Sequence, residues 1–131
     1  MAGYSATPQL KKLGIVAGAR WDVDAAPAGW GFERPPDDAM RSAGDGPADV
    51  VLAFVRSAAD LLPAIERLEP RIHPAGALWI AWPRKATGHL SDVTENDIRT
   101  TALARGLVDV KVAAIDDDWS GLKLVWRREN R

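Results

Sequence analysis

Two unbroken apolar segments, Asp49–Val55 and Ala77–Trp82, are the clearest feature of the hydrophobic pattern. Neither alternates between apolar and polar positions, so each is predicted to be a strand buried on both faces, as in a parallel sheet flanked by helices. The chain between them carries one apolar helical stripe, at Leu61, Ile65, Leu68 and Ile72. With Asp60 as the N-cap of that helix, the pattern predicts a strand, a crossover helix and a second parallel strand at the centre of the fold.

Weaker patterns extend this arrangement towards the N-terminus. Pro8–Leu13 is a predicted helical turn, with Thr7 as its N-cap and Gly14 as its left-handed stop. Ala19–Ala25 alternates between apolar and charged positions, which predicts a half-buried strand near a sheet edge with its aspartates facing solvent.

The C-terminal third predicts a helix followed by a hairpin. Thr94 is placed to cap a helix that ends at Gly106. The segments Leu107–Ile115 and Leu122–Arg127 are predicted strands, and the short turn between them requires an antiparallel pairing.

The length predicts one domain over residues 1–131, large enough to bury a core. Residues 1–6 are expected to form a flexible arm, and residues 128–131 a frayed tail. Residues 31–47 are rich in proline and glycine and are expected to form an irregular crossover, with a short helix after Pro36.

Composition excludes several classes of function. The chain has no cysteine, which excludes disulfides and thiolate chemistry, and its formal charge of −1 argues against nucleic acid as a partner. No apolar run reaches the roughly 20 residues that span a bilayer, and the N-terminus has no signal-peptide core. We therefore expect a cytoplasmic protein with no membrane association. The six tryptophans and the predicted edge strand favour a homodimer.

Several short motifs are specific enough to suggest a family. They are Tyr4-Ser-x-Thr-Pro-x-x-Lys-Lys-Leu-Gly-Ile15, Ala26-Pro-Ala-Gly29, Asp49-Val-Val-Leu-x-Phe-Val-Arg56, Trp79-x-Ala-Trp-Pro-Arg-Lys85, Gly106-Leu-Val-Asp-Val-Lys111 and Trp119-Ser-Gly-Leu-Lys123. Together they resemble a bacterial family known only as domain of unknown function 3052. The order of elements over Arg20–Arg127 also resembles the class I S-adenosylmethionine-dependent methyltransferase fold, which ends in a strand inserted antiparallel into the sheet.

The resemblance to methyltransferases implies a trimmed Rossmann-like sheet. By the methyltransferase numbering its strand order is 1-4-5-7-6, about five strands in all, with the second and third strands missing. Methyltransferases of this fold need a glycine-rich turn after the first strand and an acidic residue at the end of the second. Asp24–Gly29 offers one glycine in that turn, and residues 31–47 offer no apolar strand to present a carboxylate. The resemblance therefore implies a fold whose cofactor site has been lost.

Ligands of open α/β sheets bind beyond the carboxyl ends of the strands, so any site is predicted at that rim. The candidate rim residues are Ala26, Pro27, Gly29, Trp30, Arg56, Ser57, Trp82, Arg84, Lys85 and Trp119. The acidic run Asp116–Asp118 joins them in the turn of the hairpin. Such a rim suits a flat or anionic ligand or a protein partner, whereas the alternative is that its charges are solvated or paired with one another. Trp119 packs under the hairpin or is exposed on the rim, and the sequence leaves both open.

No catalytic or metal-binding constellation is predicted. His73 and His89 have no grouped ligands around them, and the serines lack a nucleophile motif or a paired histidine. We expect a non-catalytic Rossmann-like domain that binds a ligand or partner at its rim without a cofactor. One alternative is a minimal S-adenosylmethionine-binding protein or methyltransferase. The other is a nucleic-acid-associated factor that uses Lys11, Lys12, Arg84, Lys85 and Arg127–Arg131.

Overall fold

The computed structural model describes residues 7–84 and 91–131, which form a single α/β domain around one mixed sheet. In that part of the chain the sheet has six strands in the order β2-β1-β3-β4-β6-β5. The strands are β1 (Arg20–Asp24), β2 (Met40–Arg41), β3 (Val50–Phe54), β4 (Ala77–Pro83), β5 (Leu107–Ala114) and β6 (Trp119–Trp126). The pairs β2–β1, β1–β3 and β3–β4 are parallel, and the pairs β4–β6 and β6–β5 are antiparallel.

The α-helices are α1 (Gln9–Leu13), α2 (Ala58–Leu68) and α3 (Glu95–Ala104). Gly14 ends α1 in the left-handed conformation, with φ of 86°, as its lack of a Cβ predicts. Thr94 begins α3 as predicted, because its hydroxyl accepts from the Asp97 N–H while the Asp97 side chain accepts from the Thr94 N–H. A 3-10 turn, Glu69–Ile72, follows α2, in agreement with the bend predicted at Pro70.

Both faces of the central strands are buried, as their unbroken apolar pattern predicts. Val51 and Leu78 face one core beneath α2 and α3. Leu52 and Trp79 face a second core beneath α1 and the loops that flank β1. The order of the five longer strands is the trimmed methyltransferase order predicted from the sequence.

The crossover at residues 31–47 contains a strand that the sequence did not predict. β2 has only two residues, and it pairs with β1 through Arg20↔Met40 and Trp21↔Arg41. The short helix expected after Pro36 does not form, and a turn stands there instead. A two-residue strand carries no readable alternation, so its pairing had no signal in the hydrophobic pattern.

The prediction that the aspartates of β1 face solvent is wrong. Asp22 is 8% exposed and Arg71 is 5% exposed, and their side chains meet with Nη1–Oδ2 at 2.7 Å. Arg71 also donates to the carbonyls of Gly46 and Ser42, so it ties the crossover to β1. Asp24 pairs with Arg67 of α2 at 2.8 Å. The polar face of β1 is therefore covered by arginines of α2 and the turn that follows it.

This network predicts a loss of stability in acid. Burial raises the pKa of Asp22, but hydrogen bonds from Arg71, Val23 and Arg41 outweigh it and hold the pKa below its ordinary value of 3.8. The resulting stabilisation is complete above that value and disappears as the pH falls through the lower pKa of the folded state. Urea denaturation between pH 6 and pH 2 should show a steeper loss of stability for the wild type than for Asp22→Asn. Parallel curves would contradict this assignment.

Three boundaries differ from the sequence predictions. α2 begins three residues earlier than expected, because Ser57 rather than Asp60 is its N-cap. β6 begins at Trp119 rather than Leu122, so the hairpin turn is shorter. Residues Arg128–Asn130, expected to fray, form a 3-10 turn in which the Asn130 side chain donates to the Gly106 carbonyl.

β5 is one edge of the sheet, and two of its features discourage further pairing. Its register shifts between Asp109 and Lys111, and Lys111 is exposed near the middle of the strand. The homodimer stays a prediction. Among the described residues, none of the helices is both long and apolar enough to cross a membrane.

Candidate functional site

Aromatic rings form a continuous row across the carboxyl ends of β1, β3 and β4. Trp30 contacts Phe54 edge-on with their ring centroids 5.0 Å apart, and Phe54 contacts Trp119 in the same way at 4.8 Å. Phe32 continues the row on the other side of Trp30, at 5.0 Å. Trp119 is buried beneath the hairpin, which decides between the two positions left open for it. The structure thus joins two predicted rim residues through Phe54, which the sequence did not single out.

Asp116 fixes this row in place. Its Oδ2 accepts a hydrogen bond from Trp30 Nε1 at 2.9 Å. Its Oδ1 accepts from the backbone N–H groups of Asp118 and Trp119, at 2.8 and 2.9 Å. One carboxylate therefore links the loop after β1 to the turn between β5 and β6, and it holds the indole of Trp30 across the strand ends.

Arg56 and Ser57 follow β3 and have different roles. The guanidinium of Arg56, an exposed residue, lies 5.4 Å from the centroid of the Trp119 ring, a cation–π contact. Ser57 accepts from the Ala59 N–H at 3.2 Å, which caps α2. Ser91 donates to the Arg56 carbonyl at 2.8 Å. The two serines hold loops in place, and neither geometry is that of an activated nucleophile.

A cleft of about 550 Å³ lies beside the aromatic row, between β4, β6 and the first turn of α3. Its lining residues are Trp82, Arg84, Thr94, Glu95, Asn96, Arg99 and Ser120. Arg84 enters it from the end of β4, where its backbone N–H donates to the Asp118 carbonyl at 2.9 Å. Arg99 pairs with Glu95 and Asp109, which offsets its charge. The cleft therefore combines an indole, a guanidinium and the Ser120 hydroxyl.

The loop after β1 leads directly into the aromatic row. Ala26 and Gly29 are exposed, and the Pro27 carbonyl accepts from the Trp30 N–H at 3.0 Å. Gly29 has φ of 77°, a conformation that favours glycine. This turn places Trp30 over the end of β3, where a backbone approach to a cofactor would require open space.

The end of β2 presents a cation where a dinucleotide-type site requires a carboxylate. Arg41, its last residue, donates through Nε to Asp22 at 3.1 Å. Ser42 follows and donates its hydroxyl to the Pro47 carbonyl at 2.8 Å. The residues described here do not fit the ribose-binding role that the methyltransferase-like fold assigns to this position.

The remaining candidates do not gather into a site. Across the described ranges, no three histidine or acidic side chains are grouped as a metal ion requires. His73 bonds through Nε2 to the Asn130 carbonyl at 2.8 Å. Lys12, proposed for nucleic acid, is buried, and its Nζ donates to the Ala114 carbonyl at 3.0 Å. Lys85 and His89 lie outside the described residues.

The cleft could not be found from the sequence. Its lining comes from three separate elements, and Thr94, Asn96 and Ser120 are common residues at helix starts and in strands. Only the topology, which places Trp82 and Arg84 at a strand end, gave a signal for it.

One family matches the chain. Residues 33–128 match the family described as "Protein of unknown function (DUF3052)". No curated protein is similar to the chain in sequence at a significant level.

Solved structures share its fold at low sequence identity. The Methanococcus jannaschii fibrillarin pre-rRNA processing protein is 14% identical, with a TM-score of 0.57 over 95% of this chain and 70% of that one. The B. subtilis tRNA methyltransferase TrmK is 10% identical, with a TM-score of 0.54 over 95% and 68%. Aeropyrum pernix fibrillarin, solved with natively bound S-adenosyl-L-methionine, is 15% identical, with a TM-score of 0.51 over 85% and 68%. At these identities the likeness shows a methyltransferase-like Rossmann fold and no activity.

Proposed function

This chain belongs to the DUF3052 family of proteins of unknown function, and we propose that it is a non-catalytic Rossmann-like domain that binds a ligand at its carboxyl-end rim. The observation that carries the proposal is the division of the rim into two halves. The half beside β1 is filled by Trp30, and the half beside β4 and β6 keeps an open cleft of about 550 Å³. That volume lies in the range of small-molecule sites.

The filled half argues against a cofactor there. Trp30 is held by ring contacts and by its hydrogen bond to Asp116, so a ligand would have to displace a packed side chain. β2 ends at Arg41, which is bonded to Asp22 instead of offering a carboxylate. Both features support a binding function that does not use the methyltransferase cofactor.

The open cleft favours a flat, anionic ligand. The half-buried indole of Trp82 offers an apolar face, and Arg84 offers a cation beside it. The Ser120 hydroxyl, also half-buried, makes no hydrogen bond to another described residue and can donate to a ligand. A planar acid that stacks on the indole and pairs with the guanidinium meets all three groups.

A screen of small aromatic acids by two-dimensional NMR tests this proposal. The indole N–H signals of the tryptophans serve as reporters, each assigned with a Trp→Phe variant. We expect aromatic acids to shift the Trp82 signal while the Trp30 signal moves little, since Trp30 is bonded to Asp116. Arg84→Gln should weaken binding by about three- to tenfold, as expected for one partly exposed charge pair. Arg128→Gln, an exposed residue of the C-terminal turn, is the matched control.

Two outcomes would contradict the proposal. One is that none of the acids shifts the Trp82 signal at millimolar concentration. The other is that Arg84→Gln binds as tightly as the control, which would remove the anionic part of the assignment.

S-adenosylmethionine binding is the alternative, and calorimetry separates the two. We expect titration of the wild type with S-adenosylmethionine or its demethylated product to give no heat of binding, because Trp30 fills the half of the rim beside β1. Micromolar binding would place the cofactor-binding alternative first.

A further inference from the structure

A second concavity lies on the outer side of α1 and shares no lining residue with the rim cleft. Its volume is about 680 Å³. The apolar lining comes from α1 and the loop after it, through Leu10, Ile15, Val16 and Ala17. Val16 is 60% exposed, although it is a branched aliphatic side chain. We call this concavity the α1 groove.

The walls of the α1 groove are held by buried hydrogen bonds. Gln9, which is 3% exposed, donates through Nε2 to the Ile115 carbonyl at 2.8 Å. Its Oε1 accepts from the Glu33 N–H at 2.9 Å, which joins α1 to the opposite wall. Lys12 adds a bond from Nζ to the Ala114 carbonyl. The groove is thus formed before any ligand arrives, which lowers the entropy lost on binding.

Charged side chains line the mouth of the groove. Lys11 and Arg34 form no ion pair with another described residue, although Glu33 lies beside them in the same lining. The two cations outnumber the single carboxylate, so the mouth favours an anion. Asp37 and Asp38 line only the continuation of the groove beyond Arg34, so the anion belongs at the α1 end.

From this juxtaposition we propose that the α1 groove binds an organic acid with an apolar body, such as a fatty acid. The apolar tail lies on Leu10, Ile15 and Val16, where burial of its methylene groups provides the affinity. The carboxylate lies between Lys11 and Arg34, and Glu33 weakens the binding by repulsion.

Calorimetric titration with decanoate, against neutral 1-decanol, tests the assignment. We expect decanoate to bind more tightly than decanol. The double variant Lys11→Gln with Arg34→Gln should lose about three- to tenfold in affinity, because each exposed charge contributes a modest amount. Glu33→Gln should gain affinity, since it removes the like charge. All three positions are at the surface, so these variants are expected to fold.

Two controls locate the ligand. Arg128→Gln removes a cation far along the chain and should leave decanoate binding unchanged. Val16→Asp places a carboxylate on the apolar lining and should abolish it. Decanoate that fails to bind at millimolar concentration, that binds no better than decanol, or that binds Val16→Asp as well as the wild type would overturn the proposal.

Discussion

Replacing Arg71 with alanine is expected to lower the free energy of unfolding by about 3–5 kcal/mol, the usual cost of leaving a buried charge without its partner. The carboxylate of Asp22 is 8% exposed and has Arg71 Nη1 at 2.7 Å. The substitution also removes donors to the carbonyls of Gly46 and Ser42, which loosens the crossover that carries β2. Urea denaturation followed by tryptophan fluorescence measures the loss.

Arg41 provides the matched control, because it donates to the same carboxylate from the solvent side. Its side chain is 57% exposed, and its Nε lies 3.1 Å from Asp22 Oδ1. Arg41→Ala should therefore cost under about 1 kcal/mol, as exposed ion pairs do. Equal losses for the two variants would show that burial of Arg71 adds nothing. In the double variant Asp22→Asn with Arg71→Ala, the loss should be smaller than the sum of the two single losses.

The central part of this fold could be predicted because its signals are local. The unbroken apolar runs of β3 and β4 identify buried parallel strands, and the capping residues of α3 lie within four positions of one another. A short turn between two strands leaves only an antiparallel hairpin. These features depend on neighbouring residues, so the sequence displays them directly.

Features that depend on distant partners could not be predicted. Asp22 alternates with apolar residues and was therefore assigned to solvent, but its partner Arg71 lies 49 residues away. Ser57 was missed as the N-cap of α2 because Asp60 is an equally good capping residue by type. In both cases the residue type is ambiguous until the third dimension brings its contacts together.

The candidate site divides along the same line. Topology placed Trp30, Arg56 and Trp119 at the carboxyl-end rim, and the structure brings them together there. Whether the rim was open or filled depended on Phe54 and Asp116, which lie in other elements and carry no motif. A filled rim beside β1 and an open cleft beside β4 are consequences of packing, and the order of elements alone does not contain them.

Replacing Trp79 with alanine should also cost about 3–5 kcal/mol, the range for removing a buried large aromatic side chain. Trp79 is fully buried between β3 and β6, and its Nε1 donates to the Leu13 carbonyl at 3.1 Å. Gly121 makes room for it, since a Cβ there would lie 3.1 Å from Trp79 Cε3. The indole therefore fills the second core and also fastens α1 to the sheet, so its loss should destabilise the α1 groove as well.

Two variants separate packing from the hydrogen bond in this prediction. Trp79→Phe keeps most of the ring but leaves the Leu13 carbonyl without its donor, so it should cost about 1–3 kcal/mol. Trp82→Ala removes the same side chain type from a half-buried position at the rim and should cost less than Trp79→Ala. Denaturant titrations of the three variants measure the order. A Trp79→Ala protein as stable as Trp82→Ala would mean that the second core rearranges around the missing indole, and that α1 is held chiefly by Gln9 and Lys12.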